Sequence, residues 1–247
     1  MRDRNHWPLA LLFLVLVVRA ADAEEPDGAA PAEPAAPPPA PSPVVESDDP
    51  TWYAQALARG DAGLNVTNFW SKGARMRSET IVGGHKIVTL VNGAYYYAYD
   101  ALGGKGIAIR RSPDAIALDA VDRRPFGTEL ERLVRQGAEK VREELVRGAP
   151  VEIYRVTDRR GSREVWVTHD DRQLPVRMKM YQRHTGSRLT TDYLNWISGL
   201  PISDRFFEAD PQVALRRFGL EEYLERQARR EDIGPVPVLY ADLLKGP

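Results

Sequence analysis

Alternation of apolar and polar side chains dominates the chain between residues 74 and 196. Residues 175–181 show it most clearly, with Val176, Met178 and Met180 separated by basic residues. A period of two is typical of strands that bury one face. The strands predicted on this basis are residues 74–82, 85–91, 95–99, 151–157, 163–169, 175–181 and 188–196. Two further stretches, 64–70 and 107–118, remain candidates.

Short turn signals separate these segments and predict antiparallel meanders. Gly83-Gly84 marks one turn. Asn92-Gly93 predicts a two-residue hairpin turn in which both residues adopt positive φ. The strand that follows this turn carries Tyr95, Tyr97 and Tyr99 on one face.

Three stretches have helical patterns instead. Residues 52–57 read as a short amphipathic helix that Gly60 ends. Residues 128–147 carry apolar side chains at three- and four-residue spacing, with Thr128 as N-cap and Gly148 as the stop, which predicts one helix lying on the sheet. Residues 213–230 also read as helix.

The first 23 residues have the pattern of a secretory signal peptide. Arg2 and Arg4 form a positive start, Leu9 to Val18 is an apolar run, and Ala21-Asp22-Ala23 supplies small residues for cleavage. An uncleaved anchor is the alternative, because Arg19 interrupts the region before the cleavage site. The run is shorter than the ~20 residues that a spanning helix needs. We therefore expect export, with a periplasmic location.

Residues 24–50 form a Pro/Ala-rich acidic linker. They contain nine Pro and seven acidic residues, and no Lys or Arg. Such a segment cannot bury enough apolar surface to offset chain entropy, which predicts disorder. It either holds the domain away from a surface or is a leader without a role. The folded domain is expected over 51–212, followed by a C-terminal helix and tail over 213–247.

Composition argues against catalysis, metal binding and nucleic-acid binding. The chain has no Cys and only four His, which are scattered, so neither a thiol site nor a clustered metal site is expected. Asp170-Asp171 has the composition of a hairpin turn. The paired arginines are dispersed and form no basic stripe with interleaved aromatics. We expect a protein without enzymatic activity, cofactor or nucleic-acid partner.

Several motifs together carry a family resemblance. They are Lys72–Arg77, Lys86–Gly93, Tyr95–Asp100, Glu164–Val167, Leu174–Arg177 and Phe206–Glu208. In order and spacing they resemble the LolA-like outer-membrane lipoprotein-sorting proteins across residues 51–212. The acidic arm and the extension after residue 212 depart from that pattern.

The resemblance implies a mainly β (α+β) fold, a half-closed antiparallel β-barrel wrapping a helical lid. It implies a periplasmic binding protein that holds lipoprotein acyl chains, or another lipid, in a hydrophobic cavity during outer-membrane lipoprotein sorting. An inner- or outer-membrane protein complex would be a further partner. The alternative is a non-enzymatic regulatory or interaction domain of the same fold, which senses mislocalised lipoprotein or scaffolds an envelope complex through its C-terminal tail.

The same resemblance points to candidate ligand-binding residues. Arg75 or Arg77 would face the cavity mouth; alternatively both are exposed strand residues flanking a buried Met76. Tyr95, Tyr97 and Tyr99 would line the cavity, or pack outward under the helix. The remaining candidates for cavity wall or core are Met76, Ile81, Val88, Leu90, Trp166, Met178, Met180 and Trp196.

Overall fold

The computed structural model describes residues 46–61, 63–120, 124–234 and 236–246. The predicted signal peptide and residues 24–45 of the predicted linker lie outside the described residues.

The strands are β1 Thr51–Gly60, β2 Gly63–Lys72, β3 Arg75–Val82, β4 His85–Asn92, β5 Tyr95–Asp100, β6 Lys105–Arg110, β7 Glu139–Val146, β8 Ala149–Asp158, β9 Gly161–Thr168, β10 Pro175–Gln182, β11 Arg188–Ser198 and β12 Ala214–Phe218.

The helical elements are short. They are α1 Pro113–Leu118, α2 Glu129–Arg135, α3 Leu220–Ala228, α4 Ala241–Lys245 and a 3₁₀ helix Asp204–Phe207. Within the described ranges, no helix combines the length and the apolar character needed to cross a bilayer.

In the described part of the chain, the twelve strands form one sheet, in the order β12-β6-β5-β4-β3-β2-β1-β11-β10-β9-β8-β7. Two antiparallel meanders, β1–β6 and β7–β11, join where β1 pairs with β11, and β12 runs parallel to β6 at one edge. The mainly β prediction is confirmed, but the sheet is open and does not close into a barrel. Its far edge, β7, is almost entirely exposed and strongly charged, which is how natural sheets prevent further pairing.

The predicted helix at residues 52–57 is wrong, since these residues belong to β1. The strand lies between β2 and β11, so hydrogen bonds on both sides override a weak local helical preference. Ala54 and Ala56 are buried on one face with the more exposed Gln55 between them, which is strand periodicity.

The predicted helix at 128–147 ends early, at Arg135. Gly137 adopts a φ of 85°, its N–H donates to the Val134 carbonyl at 2.9 Å, and the N–H of Ala138 donates to the Leu133 carbonyl at 2.9 Å. This is a Schellman motif, in which a left-handed glycine satisfies the last helical carbonyls. The chain then turns into β7 instead of continuing as helix.

The predicted helix at 213–230 is correct only in its second half. Residues Ala214–Phe218 form β12 beside β6, and α3 begins at Leu220 after the extended Gly219. The first half of this segment forms a strand because β6 would otherwise be an edge strand, and its unpaired backbone groups can hydrogen-bond to it.

The hairpin turn between β4 and β5 is shifted by one residue from the prediction. Asn92 pairs with Tyr95, so Gly93 and Ala94 are the central residues. Only Gly93, at a φ of 55°, has positive φ in this turn. Glycine at the first central position is the preference of a type II′ turn, whereas both residues of Gly83-Gly84 have positive φ, as type I′ requires.

Each face of the sheet is covered by a different part of the chain. We call the face that carries Met76, Tyr96 and Tyr193 the A-face. Its buried side chains form one large apolar cluster with residues of α3, α4 and the loop between them. Farther along the A-face, Leu130 and Leu133 of α2 pack on Val165 and Val167.

The opposite face, which we call the B-face, is covered by the connection from β11 to β12. Val88, Leu90 and Tyr99 on this face pack with Ala209 and residues after it in that connection. The 3₁₀ helix sits beside them: Asn92 Nδ2 donates to the Phe207 carbonyl at 3.3 Å. Both faces of the central strands are therefore buried.

We predict that Gly93→Val destabilises the protein by about 1–2 kcal/mol, because a β-branched residue is strained in the left-handed region. Ala94→Val, at the neighbouring exposed position without positive φ, is the matched control and should be nearly neutral. Urea denaturation of both variants checks this, and equal losses would contradict it.

Candidate functional site

The structure divides the eleven candidate ligand-binding residues between the two faces. Strand register assigns residues paired across neighbouring strands to the same face. The A-face carries Met76, Met178, Met180 and Trp196, and the B-face carries Arg75, Arg77, Leu90, Tyr95, Tyr97, Tyr99 and Trp166. No single cavity on one face of the sheet brings all of them together.

Arg75 and Arg77 are half-buried and hold the β11–β12 connection. The Arg77 guanidinium lies 4.6 Å from the centre of the Phe206 ring, pairs with Glu79 at 2.7 Å and donates to the Phe206 carbonyl at 3.1 Å. Arg75 pairs with Asp204 at 2.8 Å. The residue between them, Met76, is fully buried on the other face.

Asp204 is the centre of an ionic cluster that includes the end of the predicted linker. Its carboxylate accepts from Arg75 and from Lys72, whose Nζ lies 2.7 Å away and whose side chain is only 6% exposed. The backbone N–H of Ser47 donates to it at 3.2 Å. Hydrogen bonds from Arg75 and then from Lys72 hold the Asp204 pKa well below its usual range.

Glu46 joins the same cluster from the other side. It accepts from the Ser203 hydroxyl at 2.8 Å, from the Asp204 N–H at 2.9 Å and from Lys72 at 3.1 Å. These hydrogen bonds lower the Glu46 pKa. Within the described residues, contacts with the sheet therefore already include Glu46, five residues before the predicted start of the domain.

The tyrosines of β5 share a face, as their spacing predicts, and that face is the B-face. Tyr97 pairs with Leu90, and Tyr99 with Val88, beneath the β11–β12 connection. The Arg217 guanidinium lies 5.9 Å from the centre of the Tyr95 ring. The covering element is an irregular connection, not the helix that the sequence predicted.

Trp166 is buried elsewhere on the B-face. It packs with Val151 and Ile153, and its indole N–H donates to Glu144 of β7. The Lys179 ammonium lies 4.9 Å from the ring centre. These contacts give Trp166 a core position between four strands.

Trp196 is the centre of an aromatic stack on the A-face. Its ring lies 5.7 Å from Phe126 and 5.5 Å from Tyr193, both nearly parallel to it. A Cβ at Gly127 would lie 2.5 Å from the Trp196 ring, so only glycine fits there. This stack marks where the tightly packed part of the A-face meets the part beneath α2.

Beyond that stack, the A-face continues as a row of half-buried side chains. We call this row the methionine strip; it consists of Ala58, Met178, Met180, Leu189 and Thr191. Thr191 of β11 pairs with both Ala58 of β1 and Met178 of β10, which places the five residues on one face. Four of the five are apolar, and Met side chains adapt to variable shapes.

Residues 231–234 and 236–246 cover the packed part of the A-face, and we call them the C-terminal segment. Ile233, Val236 and Leu244 belong to the same apolar cluster as the sheet. The Tyr240 ring lies 5.7 Å from Phe69, and the Tyr240 N–H donates to the Tyr96 hydroxyl at 3.2 Å. The burial of its phenol raises the pKa of Tyr240 to about 12.

Arg111 holds the C-terminal end of this segment through hydrogen bonds. Its buried guanidinium donates to the Leu243 carbonyl at 2.7 Å, to Asp119 at 2.7 and 2.8 Å, and to the Gly93 and Ala115 carbonyls at 2.9 Å. A bidentate carboxylate pairing of this kind is geometrically specific. One side chain therefore connects the β4–β5 turn, α1 and the C-terminal segment.

A polar group on the surface of β7–β9 resembles a metal site, but a lysine already lies between its two carboxylates. Ligand atoms of Glu143, Glu152 and His169 lie within 4.8 Å of one another. The Lys140 ammonium lies 2.6 Å from Glu143 and 2.8 Å from Glu152, and hydrogen bonds to it lower the pKa of both carboxyls. A cation would have to displace this lysine.

An open cleft of about 230 Å³ adjoins this group and includes Asp170 and Asp171. Asp170 accepts from the Thr168 hydroxyl, from Arg172 and from the Gln173 N–H. The hydrogen bond from Thr168, and then that from Arg172, lower its pKa. Asp170 organises the hairpin turn, in agreement with the composition of that segment.

Comparison with known proteins adds the following. No protein-family model matches the sequence, and no curated protein matches it either. Among solved structures, the chain is similar to an uncharacterized conserved protein from Thermus thermophilus, with a TM-score of 0.49, 8% identity, and coverage of 68% of this chain and 90% of that one.

Two further structures are similar over part of the chain. For the Pseudomonas aeruginosa MucA/MucB complex the TM-score is 0.42, with 14% identity, and the match covers 66% of this chain and 56% of that one. For the Mycobacterium tuberculosis lipoprotein LppX the TM-score is 0.35, with 10% identity and coverage of 58% and 85%. The family resemblance itself rests on the sequence motifs.

Sequence reasoning missed three members of the methionine strip. Leu189 and Thr191 alternate with Tyr193 in β11, so their shared face was readable, but Ala58 was hidden by the wrong helix at 52–57. The cover supplied by the C-terminal segment has no local signal, because it depends on contacts between distant parts of the chain.

We predict that Leu90→Glu destabilises the protein by about 3–5 kcal/mol, because it buries a charge at a fully buried B-face position whose cross-strand neighbour, Arg77, is already paired with Glu79. Ile81→Glu, on the same face but 59% exposed, is the matched control and should have little effect. Urea denaturation compares the two, and a mild effect at Leu90 would contradict the burial of this face.

We predict that Asp204→Asn removes a pH-dependent part of the stability. A carboxyl with a depressed folded pKa contributes stability above its unfolded pKa of about 3.9 and loses it as pH falls. The stability difference between wild type and Asp204→Asn should therefore shrink from pH 7 towards pH 3 in urea titrations. Asp171→Asn, in an exposed turn, controls for the loss of one charge; an unchanged difference at Asp204 would contradict the prediction.

Proposed function

We propose that this protein is a non-enzymatic, periplasmic binding protein for the acyl chains of lipoproteins or of another lipid. In this proposal the ligand lies on the A-face, along the methionine strip and beneath the elements that cover its two sides. The resemblance to the LolA-like lipoprotein-sorting proteins supports lipoprotein as the cargo, and the signal-peptide pattern supports the location.

The methionine strip is the observation that carries the proposal. It is a continuation of an apolar sheet face that stays only half-buried, although α2 packs on one side of it and the aromatic stack lies on the other. A contiguous apolar patch that remains partly exposed on a folded protein is a common mark of a binding site. Its five side chains carry no charge, and Arg163, which lies opposite Met180 on the same face, is already paired with Asp158, which suits a hydrocarbon ligand.

The energetics favour a chain-like apolar ligand. Each methylene group that leaves water contributes about 0.8 kcal/mol, so several buried methylenes give useful affinity even after the cost of ordering the chain. Adaptable Met side chains on the strip fit acyl chains of different length and saturation.

The surfaces that could bind a protein partner or a lipid headgroup are less available than the methionine strip. The arginines that the sequence placed at a cavity mouth, Arg75 and Arg77, are engaged in ion pairs on the other face. The C-terminal segment, which the alternative hypothesis uses as a partner surface, packs on the A-face. We therefore propose the lipid-binding function ahead of the interaction-domain function.

We predict that a fluorescent long-chain fatty acid binds the purified protein and that a diacylated or triacylated lipopeptide displaces it. Met178→Glu should weaken probe binding by roughly 10–100-fold, because its cross-strand neighbours Val165 and Thr191 carry no charge and the strip then holds an unpaired charge in place of about 1.5–3 kcal/mol of apolar burial. Fluorescence titration measures this change.

The controls separate binding from folding. Tyr181→Glu changes another residue of β10, which is exposed on the opposite face, and should bind the probe like the wild type. The same peptide without acyl chains should not displace the probe. Absence of probe binding by the wild-type chain, or equal binding by Met178→Glu and Tyr181→Glu, would refute the proposed site.

A further inference from the structure

The sheet leaves room on its A-face for bulky side chains from other parts of the chain. Several of its buried side chains are small: Ala54, Ala56, Ser71, Ser78 and Ala98. Small residues on a sheet cannot fill the layer above it by themselves. The volume is filled instead by Phe126 and by residues of the C-terminal segment.

The C-terminal segment occupies this space without becoming part of the sheet. Residues 231–240 form no helix or strand in the parts described, and α4 is only five residues long. Several of its apolar side chains, including Leu239, Tyr240 and Leu243, are only partly buried. Local opening costs least where a segment has few backbone ladders and incomplete burial.

Its polar attachments include one in the middle of the segment, where the Tyr240 N–H donates to the Tyr96 hydroxyl at 3.2 Å, and several near its C-terminal end. Arg111 donates to the Leu243 carbonyl, and the Ser112 N–H donates to the Leu244 carbonyl at 2.9 Å. Asp242 pairs with Arg132 of α2 at 3.0 Å, with both side chains about a third or more exposed. Exposed ion pairs of this kind contribute little stability, so the link between α2 and α4 is weak.

We propose that the C-terminal segment is an internal plug, which an acyl ligand displaces from the A-face. This inference rests on the proposed lipid-binding function and specifies how that site is regulated. The ligand enters along the methionine strip and takes the place of Leu239, Tyr240 and Leu243 over the small-residue floor. Release of the plug opens a longer apolar surface than the strip alone provides.

A plug of this kind lowers the apparent affinity in proportion to the fraction of molecules that are open. Minor states of proteins are commonly populated at about 0.1–10%. Loosening the segment should therefore tighten lipid binding by roughly 10-fold or more, and fastening it should weaken binding.

A disulfide lock tests this in the full chain, which has no cysteine of its own. A Cβ at Gly246 would lie 3.2 Å from the Asp114 Cβ of α1, slightly less than the usual Cβ separation in disulfides of about 3.5–4.5 Å, and Gly246 has a φ of 78°, so the cross-link requires a small local shift of the backbone. The variant Asp114→Cys/Gly246→Cys should cross-link on oxidation. Failure to cross-link would contradict the docking of the segment on α1.

We expect the oxidised double variant to bind the fluorescent fatty acid at least roughly 10-fold more weakly than the same protein after reduction. The single variants Asp114→Cys and Gly246→Cys control for strain and should not respond to oxidation. Tyr240→Ala, which removes the ring from Phe69, should bind the probe more tightly than the wild type, with urea denaturation confirming that it is folded.

Hydrogen exchange identifies the part that moves. On probe binding, amides in 236–246 should lose protection while those of α2 keep it. Equal binding by the oxidised and reduced forms, or loss of protection in α2 alone, would overturn the plug and leave lipid binding intact. No binding by the wild type, the reduced double variant and Tyr240→Ala would overturn both proposals.

Discussion

The pairing of β1 with β11 is the constraint on which the rest of the structure depends. It joins residues more than a hundred positions apart in sequence and turns two separate meanders into one sheet. Arg59 of β1 and Arg177 of β10 both pair with the buried Asp192 of β11, across three adjacent strands. Burial opposes ionisation of Asp192, but hydrogen bonds from Arg177 and then Arg59 outweigh it and lower its pKa.

This junction also makes the A-face continuous. Because Ala56 lies beside Tyr193 and Ala58 beside Thr191, the packed core of one meander runs directly into the methionine strip of the other. The two ends of this face are covered by different elements, the C-terminal segment and α2, neither of which hydrogen-bonds to it as a strand. The proposed ligand site follows from this arrangement, because the two covering elements leave part of the wide sheet face, the methionine strip, only half-buried.

On the B-face, ion pairs hold the β11–β12 connection in place as much as apolar contacts do. Lys72 and Arg75 hold Asp204, and Arg77 holds the backbone of the next turn, so the β11–β12 connection is fixed where it crosses the sheet. Removing one partner would leave a half-buried charge without compensation, which is more costly than the pair is stabilising. The two faces therefore differ in kind, one fastened by ion pairs and one covered mainly by side-chain packing.

The sequence by itself determined the strands with clear alternation, the mainly β class and the shared face of Tyr95, Tyr97 and Tyr99, because period two and turn chemistry are local. Gly137 carried a readable helix stop that the longer apolar pattern obscured. Tertiary structure alone decided that residues 52–57 pair as a strand, that Leu90 and Met178 lie on opposite faces, and that the C-terminal segment covers the A-face. Each of these depends on a neighbour distant in sequence, and local propensity is too weak to oppose it.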